Sequence, residues 1–284
     1  AKFTSQSIEK TVSVAWEKES GKRITINGRE NEKVASLFEE CNVIIMTPAT
    51  PELVKGGPEY RRKFIDRIHA KENPSYLSIL NRYSITFRTR NLLLKRRLSN
   101  HHDKDMYRTL THNIRNLSKI IQSERKNTID QMQEVFFNIC EQLKLPSLKN
   151  IKIMYSPSTI ETPDEYYLMQ KEIQRGTSLI GSHLDRLSLK RDSRSLRIYG
   201  SEGEQKITAF VLKLCEFYFL ETRTKNVPIV MLDDFQSELD SDNFKKMLAF
   251  IRPKAQIFLT SLNHKVVENP DKVFKVENEE VSDN

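Results

Sequence analysis

"YGSEGEQKITAFVLKLCEFYFL", residues Tyr199 to Leu220, decides the fold. It spends two of the chain's 8 glycines just ahead of a run whose apolar residues recur at helical spacing. Ser201, with Glu204 three residues later, forms a capping box, the pairing that satisfies the first unbonded amides of a helix. Capping alone does not need Gly203. A glycine there lets the backbone come close to something, and a helix start offers unpaired N–H groups and a positive dipole end. The natural occupant is a phosphate; an ordinary capped helix start is the other reading of the same residues.

The next segment separates the two. "PIVMLDD", Pro228 to Asp234, is an apolar run ending in adjacent carboxylates, and ligands of parallel α/β sheets bind at the carboxyl ends of strands. There Asp233 suits Mg²⁺, which keeps some of its water shell, and Asp234 suits orienting or deprotonating an attacking water. A helix over Gln205 to Thr224, a strand over Pro228 to Asp233, a helix over Asp242 to Ile251 and a strand over Ala255 to Thr260 predict a parallel sheet with right-handed crossovers.

Upstream, "SVAWEK" and "KRITING" read as strands, with Asn27-Gly28 a hairpin signal, and "CNVIIMTP" as a short strand stopped by Pro48. From Pro58 the period becomes helical, with Phe64, Ile65 and Ile68 on one face, then Leu77, Leu80, Phe87 and Leu94 beyond Pro74. A second run carries Leu110, Ile114, Leu117, Ile121, Ile129, Met132, Phe136, Ile139 and Leu143, with one gap of eight after Ile121. Joined near residues 100–105, the two runs predict an antiparallel helical arm. "KIMYSP", "GTSLIGSHLDRLSL" and "SLRIYG" read as three strands, and "VENEEVSDN" as a frayed acidic tail.

A chain of 284 residues with 38% hydrophobic content supports a substantial core. It has no run of 18 apolar residues and no signal-peptide layout at its start, so the cytoplasm is the expected compartment. Cys41, Cys140 and Cys215 lie too far apart for a metal motif and read as buried thiols. The adjacent His101 and His102 point apart and read as a solvated loop. The net charge of +8 is uneven: residues 55–126 hold 18 Lys and Arg against 6 Asp and Glu, so the remainder is net acidic. Between Asn73 and His102 stand Arg82, Arg88, Arg90, Lys95, Arg96 and Arg97 without one acid. Such a field attracts polyanions, nucleic acid among them, and the interleaved Tyr76, Tyr83 and Phe87 offer stacking; a solvated helix face on a basic protein is the other reading.

"SEGEQ", a helix, "VMLDD" and "SELD" at Ser237 to Asp240 together resemble an ABC-type ATPase head, with signature motif, Walker B and D-loop in that order. The closer similarity is to the RecF family of bacterial recombination mediators. It extends through "INGRE", "PELVKGGPEYRRKFID", "YLSILNRYSITFRTRNLLLK", "YSPS", "GTSLIGSHLD" and "YGSEGEQK", nearly the whole chain. "RRKFID" and "RNLLLK" set it apart from SMC-type heads.

The resemblance implies an α/β ATPase head interrupted by a helical arm, with residues 1–54 and 149–284 forming the head and residues 55–148 the arm. It further implies an ATP-dependent homodimer in which two heads sandwich ATP and Mg²⁺. Ser201, Gly203 and Gln205 would then face the partner's γ-phosphate, Asp233 would serve magnesium, Asp234 would be catalytic, and Ser237 and Asp240 would belong to the D-loop. Related heads often carry Glu at the place of Asp234, so slow hydrolysis is expected. The implied partners are double-stranded, gapped or junction DNA, with RecO and RecR, in RecA loading at the nucleoid. Two departures stand out. None of the 8 glycines belongs to a GxxxxGK loop followed by Ser or Thr, so the chain is expected to begin downstream of that loop and to bind ATP poorly alone; a nucleotide-independent DNA-binding module with a vestigial head is the alternative. "GSHLDR" replaces a family pattern nearer GPHRDD, keeping His183 and Asp185; and Thr260 or Ser261, with His264 a weaker candidate, stands where ABC heads carry a switch histidine.

Overall fold

The computed structural model describes residues 2–5, 8–17, 21–30, 42–98, 100–160, 164–224, 227–234, 239–262, 267–277 and 280–283. Three antiparallel strands come first: β1 (Lys2–Ser5), β2 (Ile8–Glu17) and β3 (Gly21–Ile26). Asn27 (φ 50) and Gly28 (φ 78) make a two-residue reversal after β3, closing the Ile26 to Arg29 bridge, the left-handed geometry that favours this pair. Next come β4 (Val43–Met46), α1 (Glu52–Lys55), α2 (Pro58–Glu72), α3 (Pro74–Lys95) and the long α4 (His101–Gln142). The second half contains β5 (Ile151–Ser156), α5 (Glu165–Arg175), β6 (Arg186–Arg191), β7 (Arg194–Ser195), α6 (Leu196–Tyr199) and α7 (Glu202–Arg223). It closes with β8 (Ile229–Asp233), α8 (Ser241–Ile251), β9 (Ile257–Thr260), β10 (Phe274–Glu277) and β11 (Glu280–Asp283).

The expected parallel sheet is β4–β8–β9, with Met46 opposite Leu232 and Asp233 opposite Thr260. Its strands are short and apolar, and α7 covers them: Phe210, Val211, Leu214 and Phe217 are buried in one core with Ile44, Met46, Val230 and Leu232. α7 runs antiparallel to β4. Its start meets the segment after β4 through Lys55 and Glu202, whereas Thr224, just past its end, accepts a hydrogen bond from Asn42, just before β4, at 2.8 Å. The turn at Ser201 therefore lies at the same end of the sheet as Asp233 and Asp234.

A second sheet, β5–β6–β7, is antiparallel. Only some of what reads as strand here is strand. Residues 176–185 form no strand, because Gly181 (φ 124) turns the backbone into a short 3-10 turn at Ser182–Leu184. "SLRIYG" is mostly the short helix α6, held from below by the Gln205 side-chain amide. α7 begins at Glu202 rather than Gln205. The acidic end is no frayed tail: β10 and β11 pair antiparallel.

In the arm, α3 and α4 pack antiparallel, with Tyr76, Tyr83, Ile114, Leu117 and Ile121 in one cluster and Leu93, Leu94 and Tyr107 nearer the turn. The buried side of α3 is Tyr76, Tyr83, Arg90, Leu93 and Leu94; Leu77, expected on that side, is exposed. α4 is continuous through the gap of eight because Arg125 and Thr128 are buried within it. His101 and His102 open α4 and are exposed. Cys140 and Cys215 are buried thiols, each pushed up by burial, whereas Cys41 lies outside the described residues.

Candidate ATPase site and the arm that adjoins it

At the start of α7 the capping box is complete. The Glu204 amide donates to Ser201 Oγ at 3.2 Å, and Glu204 Oε2 accepts from the Ser201 amide at 2.9 Å. Lys206 beside Glu202 holds that exposed carboxyl below the usual carboxylate range, with Lys55 adding to the effect. Gly203 lies in the first helical turn with a Cβ position that would meet nothing within 4 Å. Ser201, Glu202 and Gly203 are exposed. Gln205 is a correction: it is buried, and its Nε2 donates to the carbonyls of Leu196, Arg197 and Gly200 at 3.0 to 3.2 Å. It fixes the turn from beneath instead of facing outward.

β8 delivers Asp233 and Asp234 to the exposed strand end. One residue organises both: Thr260 Oγ1 donates to Asp233 Oδ1 at 2.8 Å and accepts from the Asp234 amide at 3.1 Å. Asp234 sits at φ 44, so the chain turns sharply just past the strand. Thr260, one of the two residues read as standing at the switch position, touches both carboxylates; His264 lies outside the described residues, as does Ser237. Asp240 caps α8, accepting from the Asn243 amide at 3.0 Å, a bond that holds its carboxyl below the usual range. Among the described residues no three His, Cys, Asp or Glu side chains gather as a metal cage. An exposed strand-end carboxylate still suits magnesium, a hard ion usually bound by one or two carboxylates with water and phosphate completing its shell.

On the arm, Arg82, Arg88, Lys95, Arg96 and Arg97 are exposed. Arg90 is not among the surface cations. It is 0% exposed and forked onto Glu172 at 2.6 and 3.0 Å, with further bonds to Thr111 and Ser178. Tyr107 donates to the same carboxylate at 2.6 Å. Tyr76 and Tyr83 are buried as well, which removes them as stacking surfaces and leaves Phe87 half-buried.

Sequence reading misses the polar hub beneath this arm. Asp185 is wholly buried, and its carboxylate accepts from Arg125 at 2.7 Å, Tyr155 at 2.7 Å, Gln122 at 2.8 Å and the Ser158 amide at 2.8 Å. Arg125 spends its other edge on Asp66 at two distances of 2.8 Å. The available signals are the interruption of the α4 apolar stripe at Arg125 and the retained Asp185 of "GSHLDR", neither of which shows that the two meet.

His183 beside this hub is structural in its contacts: Tyr83 Oη lies 2.7 Å from Nδ1, and Phe87 packs on the ring at 4.3 Å between centroids. Burial, with Arg62 nearby, holds the imidazole below its ordinary 6.5, against the hydrogen bond to the Ser178 carbonyl that favours the charged ring. The unfolded chain takes up the proton first, so the contribution of His183 to stability is intact above about pH 6.5 and is lost as pH falls below it. Urea titrations between about pH 7.5 and 5 should show a shallower decline for His183→Gln than for the parent, and parallel declines would refute the assignment.

A short parallel sheet ending in paired carboxylates, a glycine-bearing capped helix at the same end and an inserted helical arm give this chain the fold of the ABC-type ATPase heads. The Smc head of Pyrococcus furiosus shares the fold, with a TM-score of 0.51 at 15% identity over 97% of this chain and 71% of that one. Two structures of the recombination mediator RecF, one with ATP and one with ATPrS, superpose with TM-scores of 0.82 at 23% and 22% identity. They cover 97% and 98% of this chain, and 76% and 77% of those chains. No family model matches. The chain is 31% identical over 279 residues to the DNA replication and repair protein RecF of Macrococcus caseolyticus, covering 93% of this chain and 76% of that protein. To RecF of Bacillus mycoides it is 31% identical over 263 residues, covering 88% and 70%. The chain belongs to the RecF family of DNA replication and repair proteins.

Proposed function

We propose that this chain is the body of an ATP-operated DNA clamp that acts as a recombination mediator. Residues 1–54 and 149–284 together serve as the head and 55–148 as the arm. Two heads enclose ATP and Mg²⁺. Ser201 and Gly203 of one head meet the γ-phosphate held on the other, Asp233 holds the magnesium, and Asp234 orients the attacking water. The exposed Arg82, Arg88, Lys95, Arg96 and Arg97 take phosphates of gapped or junction DNA, and RecO and RecR join in loading RecA. ATP supplies the charge that closes the sandwich, and the chain's own role is to bind and orient it. None of the described helices is long and apolar enough to cross a membrane.

Gly203 carries the reading. It occupies a helical turn where alanine costs less, and nothing among the described residues lies within 4 Å of its Cβ position. The open Cβ position leaves the turn accessible from outside, and the glycine costs the helix up to about 0.5–1 kcal/mol relative to alanine. Gly203→Ala in the full-length gene product is therefore expected to raise stability by about that amount while weakening ATP-dependent association about tenfold or more. The test is ATP-dependent binding to gapped duplex across a salt series, parent beside variant. Equal affinity with and without ATP would leave only a basic DNA-binding module, whose affinity falls with salt as phosphate contacts are screened.

A further inference from the structure

Two acids stand in the turn that the clamp reading gives to a phosphate, Glu202 and Glu204. An uncovered carboxylate there opposes an anion and cancels what the helix amides offer. Glu202 is met by two lysines, Lys206 at 3.3 Å and Lys55 at 3.5 Å. Glu204 is met by Arg191, the last residue of β6, in a contact whose side chains are 36% and 20% exposed, so that solvent screens it only in part. The carboxylate is shared: Oε1 faces Arg191, while Oε2 accepts from the amide and the hydroxyl of Ser201 at 2.9 and 3.2 Å.

Arg191 is itself placed by a rigid corner. It pairs with Ile151 and with Arg194 across the two-residue turn Asp192 (φ 47) and Ser193 (φ 70), and Asn150 donates to Asp192 at 3.2 Å. No motif in the turn points to this arginine, because it lies ten residues before Ser201 and reaches it only through the fold.

We infer that Arg191 is a positioning residue of the signature turn: it neutralises Glu204 and holds it on Ser201, so that a turn carrying two acids accepts the γ-phosphate of ATP bound to a second copy. The inference rests on the clamp reading. Glutamine caps a helix as glutamate does but brings no charge, so Glu204→Gln should make Arg191 dispensable.

The experiment is ATP-driven dimerisation of the full-length gene product by light scattering, for the parent, Arg191→Met, Glu204→Gln and the double variant, with melting temperatures alongside. Arg191→Met should weaken dimerisation tenfold or more with little change in melting. The double variant should return to within about threefold of the parent, a rescue that a purely structural contact would not produce. Glu204→Gln alone should dimerise at least as well as the parent, and this keeps the test decisive should Arg191→Met fold poorly. Parent-like dimerisation of Arg191→Met, no rescue in the double variant, or weakening by Glu204→Gln alone would each overturn the role of Arg191. A parent that ignores ATP would instead remove the clamp reading, and the role of Arg191 with it.

Discussion

Asp185→Ala is expected to destabilise the protein by about 3–5 kcal/mol, the usual loss when one partner of a buried ion pair is removed. The reason is what the alanine leaves behind. Arg125 keeps Asp66, but its inner edge then faces no carboxylate, and Tyr155, Gln122 and the Ser158 amide lose their common acceptor. Each orphaned buried donor costs about 1–3 kcal/mol, offset where water enters the space. Solvation decides the size, as a comparison shows. Lys245 and Glu268 form a cation–carboxylate pair at 3.3 Å, with side chains 64% and 83% exposed. Glu268→Ala should cost under about 1 kcal/mol. Urea denaturation of the two variants measures the contrast; a loss below about 1 kcal/mol for Asp185→Ala would mean that the hub is not what joins α2, α4 and the turn before β6.

Ser201→Arg is expected to abolish ATP-driven dimerisation while leaving a folded monomer. Ser201 is exposed, so the arginine meets no core, and loss of its capping oxygen costs the helix about 1 kcal/mol. In the closed sandwich the same side chain would occupy the space where turn and phosphate meet. Loss of a central contact of that kind removes about 2 kcal/mol or more of association, some thirtyfold. Gel filtration with light scattering, with and without ATP, reads the outcome beside circular dichroism. A variant that is folded and dimerises like the parent would remove Ser201 from the interface; one that is unfolded would show that the capping box matters more to the fold than its exposure implies.

The features of the site legible in the sequence are those in which chemistry and chain order coincide. The capping box at Ser201 and Glu204, the carboxylates ending an apolar strand, and the helix and strand that follow are patterns within a few residues of sequence, although the strands take their hydrogen bonds from distant partners. Gln205 belongs to the same motif, yet its direction is not legible there, because it depends on α6 folding under the turn, which spacing cannot show. Arg90 escapes sequence reading for a related reason. In a run without acids it counts as one more surface cation, and only the return of α5 brings Glu172 against it.

By itself, then, the sequence determined the helical arm between two portions of a parallel α/β head, and the acidic strand end and glycine-bearing helix start that lie at one end of the sheet. These follow from apolar periodicity, from helix backbone groups satisfied within a few residues, and from motifs continuous in the chain. The tertiary structure alone decided which charges belong to the surface and which to the interior. Asp66 to Arg125 and Arg125 to Asp185 each span about sixty residues, and Arg90 to Glu172 spans 82. A buried charge is tolerable only when its partner arrives from elsewhere in the chain, so its fate is set by packing.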